Sequence, residues 1–193
     1  ELTLATNVLA PFLLTECLVP ALERGRGQVI DVASTVHRWG RIDWHDLQKV
    51  HGYDPHVAYA QSKLALMLIA FEGARRYGAR GIRVNAVHPG MTRTAFGRDF
   101  RGLSKLVTQL SRPLQRRPVD VAREIGALAF EPHFDRLTGA YLVRGRVTAP
   151  AERATDAVAA ARLWNMCEQL TMNAVGDRTV IRASAPTSEP GRR

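Results

Sequence analysis

The chain has 193 residues, 46% of them hydrophobic and 23% charged, which is typical of one globular domain with a single core. Its formal net charge of +9 would suit a nucleic-acid partner, but almost all of the basic residues are arginines scattered along the chain. No recognisable nucleic-acid-binding motif accompanies them. We therefore expect no nucleic-acid partner.

The apolar stretches of the sequence are too short to suggest a membrane span. A spanning helix needs roughly 20 apolar residues, and the longest stretches here are interrupted by Glu16, Lys63 or Glu72. No basic segment followed by an apolar one marks a secretory signal. We expect a cytoplasmic protein without a membrane span.

The first half of the chain alternates between helical and strand-like patterns. Apolar residues spaced three to five apart predict a helix over residues 2–22, and a short β-branched run predicts a buried strand over 28–33. Residues 34–55 are polar and rich in turn-forming residues, which indicates a long loop. A second helix is predicted over 56–77 and a second strand over 82–87.

The second half continues the alternation. We predict a helical stretch over about 100–112, a helix over 118–130, a third strand over 140–143 and a final helix over 154–172. The tail 176–193 is rich in Arg, Ser and Pro and is predicted to be disordered. Strands that alternate with helices predict a parallel α/β sheet in one domain, residues 1–175.

Tyr59 and Lys63 form the most informative pair in the sequence. They are four residues apart in a predicted helix, so both side chains lie on one face, one turn apart. A nearby ammonium group would lower the pKa of the tyrosine from about 10, and such a tyrosine can exchange a proton with a hydroxyl group near neutral pH. A surface tyrosine and lysine can show the same spacing by chance. Against chance, Lys63 is one of three lysines in a chain that otherwise uses arginine.

With its surroundings, this pair resembles the short-chain dehydrogenase/reductase family over about residues 3–150. The matching motifs are Thr-Asn-Val-Leu-Ala-Pro around Asn7, Val-Ala-Ser ending at Ser34, Tyr-x-x-x-Lys at Tyr59 and Lys63, and Val-His-Pro-Gly-Met-Thr from residue 87. The 25-residue gap from Ser34 to Tyr59 and the Ser-Thr-Val-His run are similar to the retinol-dehydrogenase-like branch. The resemblance implies the C-terminal part of a Rossmann-type, doubly wound parallel sheet, with about three strands and flanking helices.

The resemblance also implies a role for each motif residue. In the family's reaction a hydride passes between a nicotinamide cofactor, NAD or NADP, and an alcohol or carbonyl carbon. Tyr59 would be the acid or base, Ser34 would hold the substrate oxygen, Lys63 would tune Tyr59 and bind the nicotinamide ribose, and Asn7 would hold a relay water. The cofactor-binding residues implied are Asn7, Tyr59, Lys63, Pro89, Gly90, Met91, Thr92 and Thr94.

Several other polar and aromatic residues allow more than one interpretation. Thr35 lies beside Ser34, but strand alternation and the family pattern favour Ser34 as the active hydroxyl. Trp39 and Trp44 could either line a substrate pocket or pack the long loop onto the body of the protein. The loop histidines lack a metal-ligand spacing, so no metal site is expected; they are His37, His45, His51 and His56.

The chain contains no glycine-rich phosphate-binding turn of the kind that holds a dinucleotide. About 90 residues of a cofactor-binding βαβαβ unit are expected to be missing. Strand 28–33 would then form an open sheet edge, and we expect weak NAD(P)H binding by the chain alone.

Two functions fit the sequence. The first is an incomplete NAD(P)-dependent oxidoreductase that interconverts a small apolar alcohol and a ketone or aldehyde. The second is a truncated, non-catalytic paralogue that acts as a dimerisation or interaction module. In the family, the helices that correspond to residues 2–22 and 56–77 commonly form a homodimer, so the same pairing is expected here.

Overall fold

The computed structural model describes residues 1–92 and 115–175. Within these ranges the chain forms a four-stranded sheet in the order β1-β2-β3-β4, with helices packed on both faces. The predicted stretch 100–112 and the predicted disordered tail 176–193 lie outside the described residues.

Helix α1 runs from Leu2 to Arg24 and is not regular throughout. The Glu1 carboxylate accepts hydrogen bonds from the Thr3 and Leu4 amides and so caps its first turn. Residues Ala5–Leu9 form a π-helical turn, and such turns are frequent at functional sites.

Strand β1, Gln28–Val32, is followed by a short 3-10 helix, Thr35–Trp39. Helix α2, Pro55–Tyr77, begins where the Asp54 carboxylate accepts the amides of His56 and Val57, with proline in its first turn. Strand β2 is Arg83–His88.

The second part contains helix α3, Pro118–Phe130, strands β3, Tyr141–Val143, and β4, Arg146–Val147, and helix α4, Ala157–Val175. β1, β2 and β3 are parallel neighbours, whereas β4 is antiparallel to β3. The three predicted strands are therefore confirmed. β4 was missed because it has only two residues and joins β3 through a tight turn at Arg144 and Gly145, both with positive φ.

The alternating side chains of the strands divide the core into two layers. On one face, Val29, Val84 and Tyr141 meet α1, α2 and α4. On the other, Ile30, Val87 and Leu142 belong to a smaller cluster with Leu128 of α3. Helix α2 is the central element, with most of its side chains buried.

Helix α4 covers α2 within the monomer. The Trp164 ring meets Phe12 of α1 edge-on, with ring centroids 4.9 Å apart, and Tyr77 of α2 at 5.6 Å. A homodimer through α2 would have to displace this helix. The homodimer through residues 2–22 and 56–77 stays a prediction; on α1, Leu2, Leu14 and Leu18 are exposed.

In the part of the chain that the structure describes, α1 is the one helix long and apolar enough to cross a membrane. Only 22% of its most apolar stretch is buried. The expectation that no segment reaches this length and apolarity is therefore wrong. Glu16, which was taken to interrupt the run, is the one charged residue before Glu23 and Arg24 at the end of this 23-residue helix.

Candidate active site

Several residues singled out from the sequence lie near the carboxyl ends of the parallel strands. β1 and β2 are parallel, so the segments that follow Val32 and His88 leave the sheet at the same end. In open α/β sheets this carboxyl end of the strands is where ligands bind.

Ser34 lies just beyond β1 and caps the 3-10 helix. Its hydroxyl oxygen accepts the amide of Val36 at 3.3 Å, so a local turn orients the side chain. Because the strand ends at Val32, Ser34 and Thr35 do not alternate across a sheet. The strand argument for choosing Ser34 over Thr35 was therefore wrong, and what separates them is the bond from Ser34 to Tyr59.

Tyr59 lies in the second turn of α2, half-buried, with its hydroxyl hydrogen-bonded to the Ser34 side chain. Burial raises the pKa of Tyr59, and the Ser34 hydrogen bond offsets this only in part. The expected lowering of this pKa by Lys63 is therefore wrong: the Lys63 ammonium lies 5.8 Å from the centre of the tyrosine ring.

Lys63 is held by the end of the neighbouring strand. Its ammonium donates a hydrogen bond of 2.9 Å to the carbonyl oxygen of Val32. Burial lowers the pKa of Lys63, while the Asp31 carboxylate acts in the opposite direction. The side chain is therefore fixed beside Tyr59 and is easier to deprotonate than an ordinary lysine.

Asn7 reaches the same region from the π-helical turn of α1. Its side-chain amide donates to the Ser62 hydroxyl at 3.0 Å, and Ser62 in turn donates to the backbone carbonyl of Tyr59 at 2.8 Å. The structure thus links Asn7 to Tyr59 through Ser62, a residue that the sequence interpretation did not include.

The Pro89-Gly90 turn follows β2, as the sequence pattern predicted, and Gly90 adopts a left-handed φ of +79°. Arg116 holds this turn: its guanidinium donates to the Pro89 carbonyl at 3.2 Å, and its amide donates to the Met91 carbonyl at 2.7 Å. Thr92 pairs with Arg116 and bonds the Gly90 carbonyl through its hydroxyl. Thr94 lies outside the described residues.

Asp31 is an ionisable group close to Lys63 that the sequence did not reveal. It lines a small cavity with Phe12 and Leu66, and burial raises its pKa to about 7, against the opposing pull of Lys63. No motif marks it, because its environment is created by helices from other parts of the chain.

We expect Asp31→Asn to stabilise the protein above pH 7. Because the folded state holds the Asp31 proton more tightly than the unfolded chain, the stability from this proton is complete below pH 3.8 and is lost as the pH rises through about 7. The variant should gain about 4 kcal/mol at pH 8 and nothing below pH 4, since each pKa unit between 3.8 and about 7 costs about 1.4 kcal/mol. Urea unfolding across this range measures it, with Asp135→Asn, whose side chain is 65% exposed, as the control. An equal gain at all pH values would contradict the buried carboxyl.

Gly40 allows the long loop to lie directly against α2. A Cβ atom at this position would stand 2.4 Å from the Ala60 carbonyl oxygen and 2.8 Å from the Leu64 Cβ. The loop can therefore approach the helix one residue after Tyr59 only because residue 40 has no side chain.

We expect Gly40→Ala to cost about 1–3 kcal/mol, because backbone atoms must separate to admit the methyl group. Gly126→Ala is the matched control: an added Cβ meets nothing within 4 Å, and alanine favours the helix by about 1 kcal/mol. Thermal unfolding of the two variants should show opposite signs. A Gly40→Ala protein as stable as wild type would contradict the close contact.

The tryptophans and histidines of the long loop differ in their surroundings. Trp44 packs beneath the guanidinium of Arg162 at 4.3 Å, so it fastens the loop, whereas Trp39 is 75% exposed. His37 is fully buried and bonded at both ring nitrogens. Residues 1–92 and 115–175 contain no group of three or more potential metal ligands.

Comparison with known proteins adds to this geometry. Residues 1–144 match a family model described as enoyl-(acyl carrier protein) reductase, a model of short-chain dehydrogenases/reductases. The chain belongs to the short-chain dehydrogenase/reductase family. The resemblance inferred from the motifs is thereby confirmed, as is the Rossmann-like α/β fold.

Relatives that are similar to this chain include two curated dehydrogenases. Retinol dehydrogenase 13 from Mus musculus is 33% identical, over 88% of this chain and 53% of its own length. Polyprenol dehydrogenase from Mus musculus is 35% identical, over 92% of this chain and 55% of its own. The chain spans about half the length of the curated relatives it matches.

Solved structures of the family share the fold. An uncharacterised protein from Mycobacterium Paratuberculosis matches with a TM-score of 0.63 and 31% identity, over 87% of this chain and 57% of its own. An NADPH-bound carbonyl reductase from chicken fatty liver matches with a TM-score of 0.53 and 22% identity, over 76% and 55%, a likeness of fold alone.

The prediction of a cytoplasmic protein is wrong. The curated short-chain dehydrogenase relatives include retinol and polyprenol dehydrogenases, and α1 is long and apolar enough to serve as an anchor. The sequence interpretation failed because it looked for an uninterrupted apolar run, while a helix with few charges meets the requirement.

Proposed function

We propose that this chain supplies the proton-transfer and substrate-orienting residues of an NAD(P)-dependent oxidoreductase that interconverts an alcohol and a ketone or aldehyde. The observation that carries the proposal is the hydrogen bond between the Ser34 and Tyr59 hydroxyls at the carboxyl end of the sheet, with Lys63 one helical turn away. Membership of the short-chain dehydrogenase/reductase family supports it.

The two hydroxyls divide the work on the substrate oxygen. Ser34 donates a hydrogen bond to a carbonyl oxygen and so polarises the carbon–oxygen bond. Tyr59 gives its proton to the same oxygen during reduction and takes it back during oxidation. A tyrosine is protonated at neutral pH even at its ordinary pKa of about 10, and burial raises the pKa of Tyr59, so the side chain holds the proton that reduction requires.

Lys63 and Asn7 support the proton transfer from behind Tyr59. The ammonium of Lys63 is held on the Val32 carbonyl one helical turn from Tyr59, and its lowered pKa makes it a readier proton donor than an ordinary lysine. Asn7, through Ser62, fixes the backbone from which Tyr59 projects. These residues keep the acid in place while its charge changes.

The residues present fit one end of a nicotinamide cofactor, which would supply the hydride chemistry when bound. Gly90, at a positive φ, leaves its face of the turn without a Cβ. Lys63, Tyr59 and Asn7 lie at the same end of the strands and would hold the ribose and nicotinamide. The chain holds no glycine-rich turn for the pyrophosphate, and NAD or NADP both suit these residues.

A small apolar alcohol or carbonyl compound is the proposed substrate class. Relatives 33–35% identical to this chain are named for retinol and polyprenol, which are apolar alcohols. The site itself contributes only the polar groups needed for one oxygen atom.

The test is an assay of the protein, expressed with any coding sequence that lies upstream of Glu1. Apolar aldehydes and ketones are offered with NADH and NADPH, and the corresponding alcohols with the oxidised cofactors. Turnover that depends on both Tyr59 and Ser34 supports the proposal. Binding of neither cofactor, or turnover unaffected by Ser34→Ala, would refute it.

A further inference from the structure

We propose that His37 is a positioning residue: its neutral Nδ1–H tautomer, favoured by the Ser34 carbonyl and the Ala151 amide together, holds the Ser34 backbone so that the Ser34 hydroxyl meets Tyr59. This inference rests on the proposed function, in which Ser34 binds the substrate oxygen. His37 touches neither substrate nor the reacting atoms and acts only through Ser34.

His37 makes two contacts with the backbone carbonyl of Ser34. His37 Nδ1 lies 2.6 Å from the carbonyl oxygen of Ser34, and the His37 backbone amide donates to the same oxygen at 3.1 Å. One residue therefore provides two donors to one carbonyl. This holds the peptide plane from which the Ser34 side chain projects.

The opposite ring nitrogen of His37, Nε2, faces the backbone of Ala151. The backbone amide of Ala151 donates to His37 Nε2 at 3.1 Å. An amide can only donate, so Nε2 must be an unprotonated acceptor. The neutral ring then carries its proton on Nδ1, where it faces the Ser34 carbonyl.

The His37 ring is enclosed by the rest of the protein. His37 is fully buried, and the Tyr141 ring of β3 packs against it edge-on, with centroids 5.2 Å apart. The ionisable groups that face it are Arg38 on its own helix, His88 at the end of β2 and Tyr141. Burial lowers the pKa of His37, the Ser34 carbonyl acts against this, and Arg38 lowers the pKa further.

The segment that contains Ala151 is held against the 3-10 helix by two further hydrogen bonds. Arg38 donates to the Ala149 carbonyl at 2.7 Å, and Arg153 donates to the Gly40 carbonyl at 2.8 Å. These bonds flank the His37–Ala151 bond and fasten residues 149–153 onto the 3-10 helix. Ala151 is therefore held in register with His37 by two independent contacts.

Two histidine variants separate the two ring nitrogens. In His37→Asn the amide nitrogen takes the place of Nδ1 and can still donate to Ser34, whereas in His37→Gln the amide oxygen takes the place of Nε2 and only the Ala151 bond is kept. We expect kcat to fall about 10²-fold in His37→Gln with KM little changed, because Ser34 is displaced, and to stay near wild type in His37→Asn. Equal losses in both variants would overturn the proposal.

A backbone variant tests the tautomer without touching the histidine. Ala151 has φ −66°, which proline adopts, so Ala151→Pro removes the N–H donor with little strain at that residue. Ala151→Ser retains the N–H and is the control. Nitrogen-15 NMR of the imidazole should show the Nδ1–H tautomer in wild type and Ala151→Ser, because the Ser34 carbonyl accepts the Nδ1 proton. In Ala151→Pro the Nε2 resonance should move to that of an unbonded acceptor nitrogen, with a matching displacement of the Tyr59 ring resonance.

The NMR spectrum reports on His37 independently of catalytic activity. If no substrate is turned over but wild-type His37 carries its proton on Nδ1 and the Nε2 and Tyr59 resonances respond to Ala151→Pro, the oxidoreductase proposal fails and the positioning role stands. If the protein is active and wild-type His37 carries its proton on Nε2, the positioning role is refuted alone.

Discussion

Tyr59→Phe should lower kcat/KM for carbonyl reduction by about 10²–10⁴-fold, the usual contribution of a general acid. The variant removes only the hydroxyl, so the half-buried ring should keep its packing in α2. The Ser34 hydroxyl would keep the Val36 amide but lose Tyr59, the acid that we propose for the reaction. Steady-state kinetics with saturating cofactor measure the effect.

Tyr53→Phe is the matched control for this experiment. Tyr53 is 53% exposed in the loop before α2, so the same loss of a hydroxyl should leave kcat/KM unchanged. Cofactor binding should be similar in both variants, which separates a defect in proton transfer from a defect in folding. Wild-type activity in Tyr59→Phe would remove Tyr59 from the mechanism.

Trp164→Ala should destabilise the protein by about 3–5 kcal/mol, the usual cost of removing a large buried aromatic ring. Trp164 is 3% exposed and packs edge-on against Phe12 and Tyr77, with the Arg76 guanidinium 4.7 Å from its ring centre. Its loss would leave a cavity where α1, α2 and α4 meet. Chemical denaturation followed by far-UV circular dichroism measures the change.

Val158→Ala is the control on the same helix, because Val158 is 81% exposed and should change stability by less than about 0.5 kcal/mol. Light scattering measures self-association and so tests whether α4 shields α2 from a second copy of the chain. If α4 blocks pairing through α2, Trp164→Ala should increase self-association while Val158→Ala does not. A loss of less than about 1 kcal/mol in Trp164→Ala would contradict tight docking of α4.

The local patterns of the sequence were sufficient for most secondary structure. Helix α3 begins and ends as predicted at 118 and 130, and α2 begins one residue before its predicted start. These predictions succeeded because proline, acidic caps and apolar periodicity act within a few residues of one another. The final helix was less well placed, since a 3-10 turn, Glu152–Thr155, precedes it.

The catalytic residues were predicted from the order of the motifs along the chain. The structure brings Ser34 and Tyr59 together, with Lys63 beside them and Asn7 one side chain away. Their roles stay predictions. The pKa direction of Tyr59 could not be read from its spacing to Lys63, because it depends on burial by the rest of the fold.

The sequence by itself determined the family and the type of fold, and it predicted which residues can carry a proton, because each depends on residue types in an ordered pattern along the chain. Only the tertiary structure decided how those residues are held. His37 meets Ala151 across 114 positions of sequence, and Arg38 meets Ala149 across 111. The charge state of Asp31 likewise depends on burial beside α1 and α2. Contacts and burial of this kind leave no local pattern, because they arise only when distant segments pack together.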